Sequence, residues 1–94
     1  MTAYWIAHVT VTDPETYAAY QVQARGVFEA HGGRFLARGG QAMTLEGPEF
    51  ARHVIIEFPS IDAAQRCYAS DQYRAARALR SGAAEVQIVL VEDI

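Results

Sequence analysis

The sequence predicts a single α+β domain in which strands and helices alternate as β-α-β-β-α-β. Three observations carry that expectation. The chain has 94 residues, enough for one domain spanning 1–94 and too few for two. Short runs rich in β-branched and aromatic residues alternate with stretches of helical spacing. Glycine, proline and serine punctuate the junctions between them.

Ala3 to Val11 reads as the first strand. Asp13-Pro14 supplies an N-cap followed by proline at the first helical position. Tyr17, Tyr20, Ala24, Val27, Phe28 and His31 then recur at helical spacing. Gly26 interrupts this run at a cost of about 1 kcal/mol against alanine. Gly32-Gly33 ends the helix, because glycine accepts the left-handed backbone of a C-cap. Arg34 to Arg38 is the second strand, closed by Gly39-Gly40, with Ala42 to Glu46 as a candidate edge continuation. Gly47-Pro48 turns the chain into the third strand, Arg52 to Phe58. Pro59 stops that strand, and Ser60 caps a helix over Ile61 to Ala69. Ser70-Asp71 resembles a second cap, so this helix is expected to break and restart over Gln72 to Arg80. Ser81-Gly82 ends it, and Glu85 to Glu92 is the fourth strand.

This order is the ferredoxin-like arrangement, an antiparallel four-stranded sheet with two helices on one face. The opposite face is then bare in a single subunit, and a second copy is its simplest cover, so a homodimer is expected. A chain of this size buries roughly 64% of its extended surface, which gives a thin core that a partner would thicken.

Composition narrows the function classes. Hydrophobic residues make up 51% and charged residues 20%, a globular rather than a disordered balance. A net charge of -3 offers phosphate backbones no attraction, and the aromatic and basic sheet motifs of RNA-recognition modules are missing. Nucleic acid is therefore not an expected partner. No stretch reaches membrane-spanning length, and the first residues lack the basic-then-apolar pattern of a signal peptide, so the expected location is cytoplasmic. The lone Cys67 excludes an internal disulfide, a cysteine-rich zinc site and an iron–sulfur cluster. Every basic residue is Arg and none is Lys. That usage fits a need for planar anion forks, and equally the codon bias of a genome.

Strand alternation sorts the residues into two faces. Trp5, Ala7, Val9 and Val11 point one way, and Tyr4, Ile6, His8 and Thr10 the other. In the third strand Val54, Ile56 and Phe58 oppose His53, Ile55 and Glu57. Unbroken alternation in the second strand adds Arg34, Leu36 and Arg38 to the face of His8 and Glu57. The fourth strand is largely apolar in both phases. One face is thus almost purely apolar and belongs under the helices. The other mixes His8, Arg38 and Glu57 with Ile6, Leu36 and Ile55, as a pocket lining does.

His8, Glu57 and Arg38 are the catalytic candidates. His8 reads as a general base or carbonyl polariser, or as a hydrogen-bonded residue of the sheet. Glu57 would orient His8 or act as a base, or else neutralise Arg38. Arg38 would hold a carboxylate or enolate, or serve only Glu57. Tyr68 and Tyr73 flank the helix break and Arg80 follows, making these the substrate-binding candidates. Tyr17 and Tyr20 at one-turn spacing read as core. Cys67 lacks a neighbouring histidine or a glycine-rich elbow, which argues against a nucleophile. His8, His31 and His53 lack metalloprotease spacing, so no metal is assigned, although His8 and His53 are free to converge in three dimensions.

The stretches Ala-Tyr-Trp-Ile-Ala-His-Val-Thr-Val-Thr-Asp-Pro (3 to 14), Gly-Gly-Arg-Phe-Leu-Ala-Arg-Gly-Gly (32 to 40) and Ile-Glu-Phe-Pro-Ser (56 to 60) resemble a bacterial family, domain of unknown function 1330. Cys67 to Tyr73, followed by Arg77 and Arg80, is similar to its second-helix signature, with Asp71 at the usual proline position. The resemblance implies a dimeric α+β barrel, two sheets meeting through their helix-free faces. Its wider superfamily includes cofactor-independent monooxygenases, isomerases, haem proteins and ligand-sensing domains. The functional expectation is a small-molecule-binding protein with no cofactor assigned. As an enzyme it would act on a carbonyl or enolisable substrate between sheet faces; the alternative is a non-catalytic ligand-sensing or assembly domain.

Overall fold

The computed structural model describes residues 1–94. Its strands are β1 (Ala3–Val11), β2 (Arg34–Arg38), β3 (Arg52–Phe58) and β4 (Ala84–Glu92). Its helices are α1 (Pro14–Ala30), α2 (Ile61–Ala69) and α3 (Asp71–Ala78). The strands form one antiparallel sheet in the order β2-β3-β1-β4, the ferredoxin-like topology that the element order predicts.

Local chemistry starts and stops each helix. The Asp13 carboxylate accepts from Thr16 N at 3.4 Å and from Thr16 Oγ1 at 2.7 Å, satisfying the first turn of α1. The amides of Thr12 and Asp13 both donate to Ala83 O, at 2.8 and 3.0 Å, so the entry of α1 is tied to the start of β4. At the far end the chain folds tightly back at Gly33, where a Cβ would lie 2.8 Å from Phe28 O. Ser70 divides the second helical stretch. Its hydroxyl accepts from Tyr73 N at 3.1 Å and donates to Cys67 O at 2.7 Å, capping α3 while closing α2. The break therefore falls where the serine predicts, and α3 begins one residue earlier than expected.

The core sits between the helices and one sheet face. Trp5 is its centre, with ring centroids 5.0 Å from Phe28, 5.2 Å from Tyr73 and 6.0 Å from Phe58. Val9, Ile56, Phe58, Ala64 and Cys67 complete the sealed layer. Pairing of β4 with β1 resolves the phase that the sequence leaves open. Val86, Ile88 and Leu90 lie opposite Val9, Ala7 and Trp5 on the helix side. Val89 and Val91 lie opposite Ile6 and Tyr4 on the open side, 43% and 45% exposed.

Two expectations are corrected. Ala42 to Glu46 forms no strand. Its large apolar side chains, Met43 and Leu45, are 78% and 84% exposed, so no buried face fixes a strand register there. The second correction changes the site. The β2–β3 register slips between Phe35 and Ala37, placing Arg34 opposite Glu57, Phe35 opposite Ile56, Ala37 opposite Ile55 and Arg38 opposite Val54. This β-bulge inserts one residue, so every later side chain of β2 changes face. Arg38 points to the helix side, away from His8 and Glu57.

Candidate functional site

On the open face, His8 and His53 are direct partners across β1 and β3. Their Nδ1 atoms lie 2.8 Å apart, with ring centroids at 5.1 Å and an interplanar angle of 74°. One ring must donate to the other in this geometry. The two histidines do converge, but no third His, Cys, Asp or Glu joins them in a metal-ligand cluster. A tetrahedral ion would also hold its ligand nitrogens farther apart, at about 3.3 Å.

Glu57 does not orient His8. It lies opposite Tyr4, four positions along β1 from His8, a separation of about 13 Å. Its carboxylate accepts instead from Arg34 Nη2 at 3.0 Å. The proposed grouping of His8, Glu57 and Arg38 is thus not assembled: two members stand apart on one face, and the bulge sends the third to the other.

The substrate-binding candidates divide as well. Tyr73 is fully buried, and its hydroxyl shares a 2.8 Å hydrogen bond with that of Tyr20, which makes it a core residue. Tyr68 and Arg80 do line a concavity, an open groove of about 650 Å³ against Ile88 and Leu90 of β4. There Arg77 Nη1 donates to the Tyr68 hydroxyl at 2.5 Å. The Arg80 guanidinium stacks on the Tyr20 ring at 5.0 Å.

A more enclosed cavity lies between α1 and the sheet, with a volume of about 250 Å³. It arises from side-chain size. Along the helix side of β1, Trp5 fills the space at one end, while Ala7 and Val9 leave it open at the other. Tyr17, Tyr20 and Phe28 of α1 form the opposing wall, and 13 of the 17 lining residues are hydrophobic. The charged side chains of the lining are Arg25, Arg38 and Arg52, with no carboxylate among them. Arg25 approaches Glu29 at 3.8 Å on the helix surface. Arg38 stacks on Phe35, its Cζ 4.7 Å from the ring centroid, and forms no ion pair. Arg52 also forms none, and its Nε is buried without a hydrogen-bond partner.

The phenols of this wall are held neutral. Burial raises the Tyr17 pKa above the ordinary phenol value, against the pull of Arg52 and Arg80. Burial, then the neighbouring Tyr73, raises that of Tyr20 further. Tyr17 and Tyr20 can therefore donate hydrogen bonds but do not act as bases near neutrality. The cavity joins an apolar, aromatic interior to unpaired guanidinium groups, a surface suited to a small organic molecule. Arg52 was not singled out by its place in the sequence, where it merely begins a strand. The signal that finds it is its neighbour across the β2–β3 connection, Gly39, whose missing side chain leaves room for the guanidinium.

The sequence profile described as Domain of unknown function (DUF1330) matches residues 2–94. The chain belongs to this family. No curated protein matches its sequence. Among solved structures it is similar to a Rhodopseudomonas palustris protein of unknown function, with 24% identity and a TM-score of 0.80, covering 99% of this chain and 82% of that one. It is also similar to SnoaB of Streptomyces nogalater, a cofactor-independent oxygenase, with 15% identity, a TM-score of 0.68, and coverage of 99% and 93%. A third is a dimeric ferredoxin-like protein of unknown function from Jannaschia, with 8% identity, a TM-score of 0.69, and coverage of 99% and 100%. At these identities the likeness establishes the fold that this DUF1330 member shares with them.

Proposed function

We propose that this DUF1330 protein binds a small, mostly apolar organic molecule in the cleft between α1 and the sheet, and that it does so as a homodimer. The observation that carries the reading is the 250 Å³ cavity itself, with its largely hydrophobic lining and a few polar groups at fixed positions. The two concavities described above open on the helix side of the sheet, which supports a site there rather than between two sheet faces. The enzymatic form of this reading is cofactor-independent oxygenation or isomerisation of a carbonyl or enolisable substrate. The fold shared with SnoaB supports it, and guanidinium groups beside an apolar wall suit a developing enolate. The assembly alternative finds its support on the open face, where paired side chains stand among exposed Val89, Val91 and Leu36.

Calorimetric titration with the neutral probe 2-naphthamide tests the reading. Binding is expected in the wild-type protein and a loss of about tenfold or more in Val54→Phe, which fills the cleft. His8→Ala and Glu57→Gln, on the other face, are expected to bind as the wild type does. Sensitivity to those two variants, with Val54→Phe silent, would return the site to the open face and sink the proposal.

A further inference from the structure

The cleft holds two cations that the fold does not use. Arg38 and Arg52 reach it from neighbouring strands, Arg38 opposite Val54 and Arg52 two residues before Val54 on β3. Neither meets a carboxylate, and Arg52 Nε is buried with its hydrogen unclaimed. A guanidinium N–H buried without an acceptor is destabilising by itself, so its retention asks for a partner.

The surrounding backbone fixes Arg52 in place. Gly39 follows the bulged strand with φ +72°, and its amide donates to His53 O at 3.0 Å. A Cβ at Gly39 would fall on Arg52 Nη1 and lie 2.8 Å from Cζ, so the guanidinium occupies the space that glycine leaves. The bulge at Leu36 and the glycine at 39 therefore act on one cleft: the first turns Arg38 toward its lining, the second makes room for Arg52 in the same lining. Arg38 is in turn steadied by its stacking on Phe35.

Resting on the cleft reading above, we infer that the ligand is an anion, an aromatic or apolar carboxylate or enolate whose negative end is clamped by Arg52 and Arg38 while its body lies against Tyr17 and Phe28. A planar, delocalised oxyanion matches the guanidinium fork and can accept from two donors at once. The apolar wall selects against small inorganic anions, which would leave most of the cavity empty.

Paired titrations of the full chain with 2-naphthoate and 2-naphthamide, equal in shape and differing in charge, test this inference. Naphthoate is expected to bind on the order of tenfold tighter, with the excess weakened by added salt. Arg52→Met and Arg38→Met are each expected to reduce that excess and together to abolish it, by lowering naphthoate affinity far more than naphthamide affinity. Gly39→Ala is expected to act like Arg52→Met, with circular dichroism reporting whether the fold is retained. Equal affinity of the two probes in the wild type overturns the anion inference while leaving the cleft reading standing. So does a naphthoate preference that survives in the Arg38→Met, Arg52→Met double variant. Failure of both probes to bind overturns the cleft reading, and the inference with it.

Discussion

On the open face of the sheet, Arg34 meets Glu57 at 3.0 Å and His8 meets His53 at 2.8 Å, whereas Arg38 and Arg52 on the helix face meet no carboxylate at all. The same residue types thus serve opposite ends. Paired polar groups set among apolar side chains can be covered by another such surface without leaving those charges stranded. Unpaired guanidinium groups beside a concave apolar wall call for a ligand that supplies the missing charge. The bulge in β2 adds Arg38 to the helix-side region, where plain alternation along β3 already places Arg52.

The largest expected effect lies on the helix face. Trp5→Ala removes the ring around which Phe28, Phe58 and Tyr73 are arranged. It should cost about 3–5 kcal/mol in denaturant unfolding, a large share of the stability of a domain this small. A loss below about 1 kcal/mol would show that this face is far less tightly built than the geometry indicates.

Next comes the open face. Ile55→Glu places a charge beside Ile6 and Ala37, where a second sheet is proposed to pack. Sedimentation velocity should report a dimer for the wild type and a shift toward monomer for the variant, at little cost to the fold. A monomeric wild type would break the comparison outright, leaving the paired charges without an interfacial role.

The smallest effect sharpens the picture of the sealed layer. Burial pushes the Cys67 thiol up to about 11, so it stays protonated and unreactive near neutrality. Alkylation by iodoacetamide at pH 8 should therefore be slow in the folded chain and fast in denaturant. The corresponding contribution to stability is fully present below the ordinary thiol value. It is lost as the pH rises from there through about 11, because the unfolded thiol ionises first. Rapid labelling of the native protein at pH 8 would show that water reaches this layer.

Much of this architecture is legible in the chain. The bounds of β2 and β3, the Asp13-Pro14 helix start and the break at Ser70 follow from turn, cap and periodicity signals that act within a few residues. The two faces of β1 and β3 follow from simple alternation, and His8, His53 and Glu57 stand on the open face as alternation requires. The site is less legible. Tyr73 belongs to the core rather than a pocket mouth because Tyr20, 53 residues away in the chain, satisfies its hydroxyl.

Local signals in the chain set the order of elements, most of their ends to within a residue or two and the helix-facing side of β1 and β3, since each depends on a residue's own conformational preference or a period of two. Folding was needed to turn Arg38 across the sheet, to seat Arg52 on Gly39, and to leave a cleft below α1 beside Ala7 and Val9. Those features depend on strand register and on which side chains meet across the layer, and such pairings form between residues far apart in the chain.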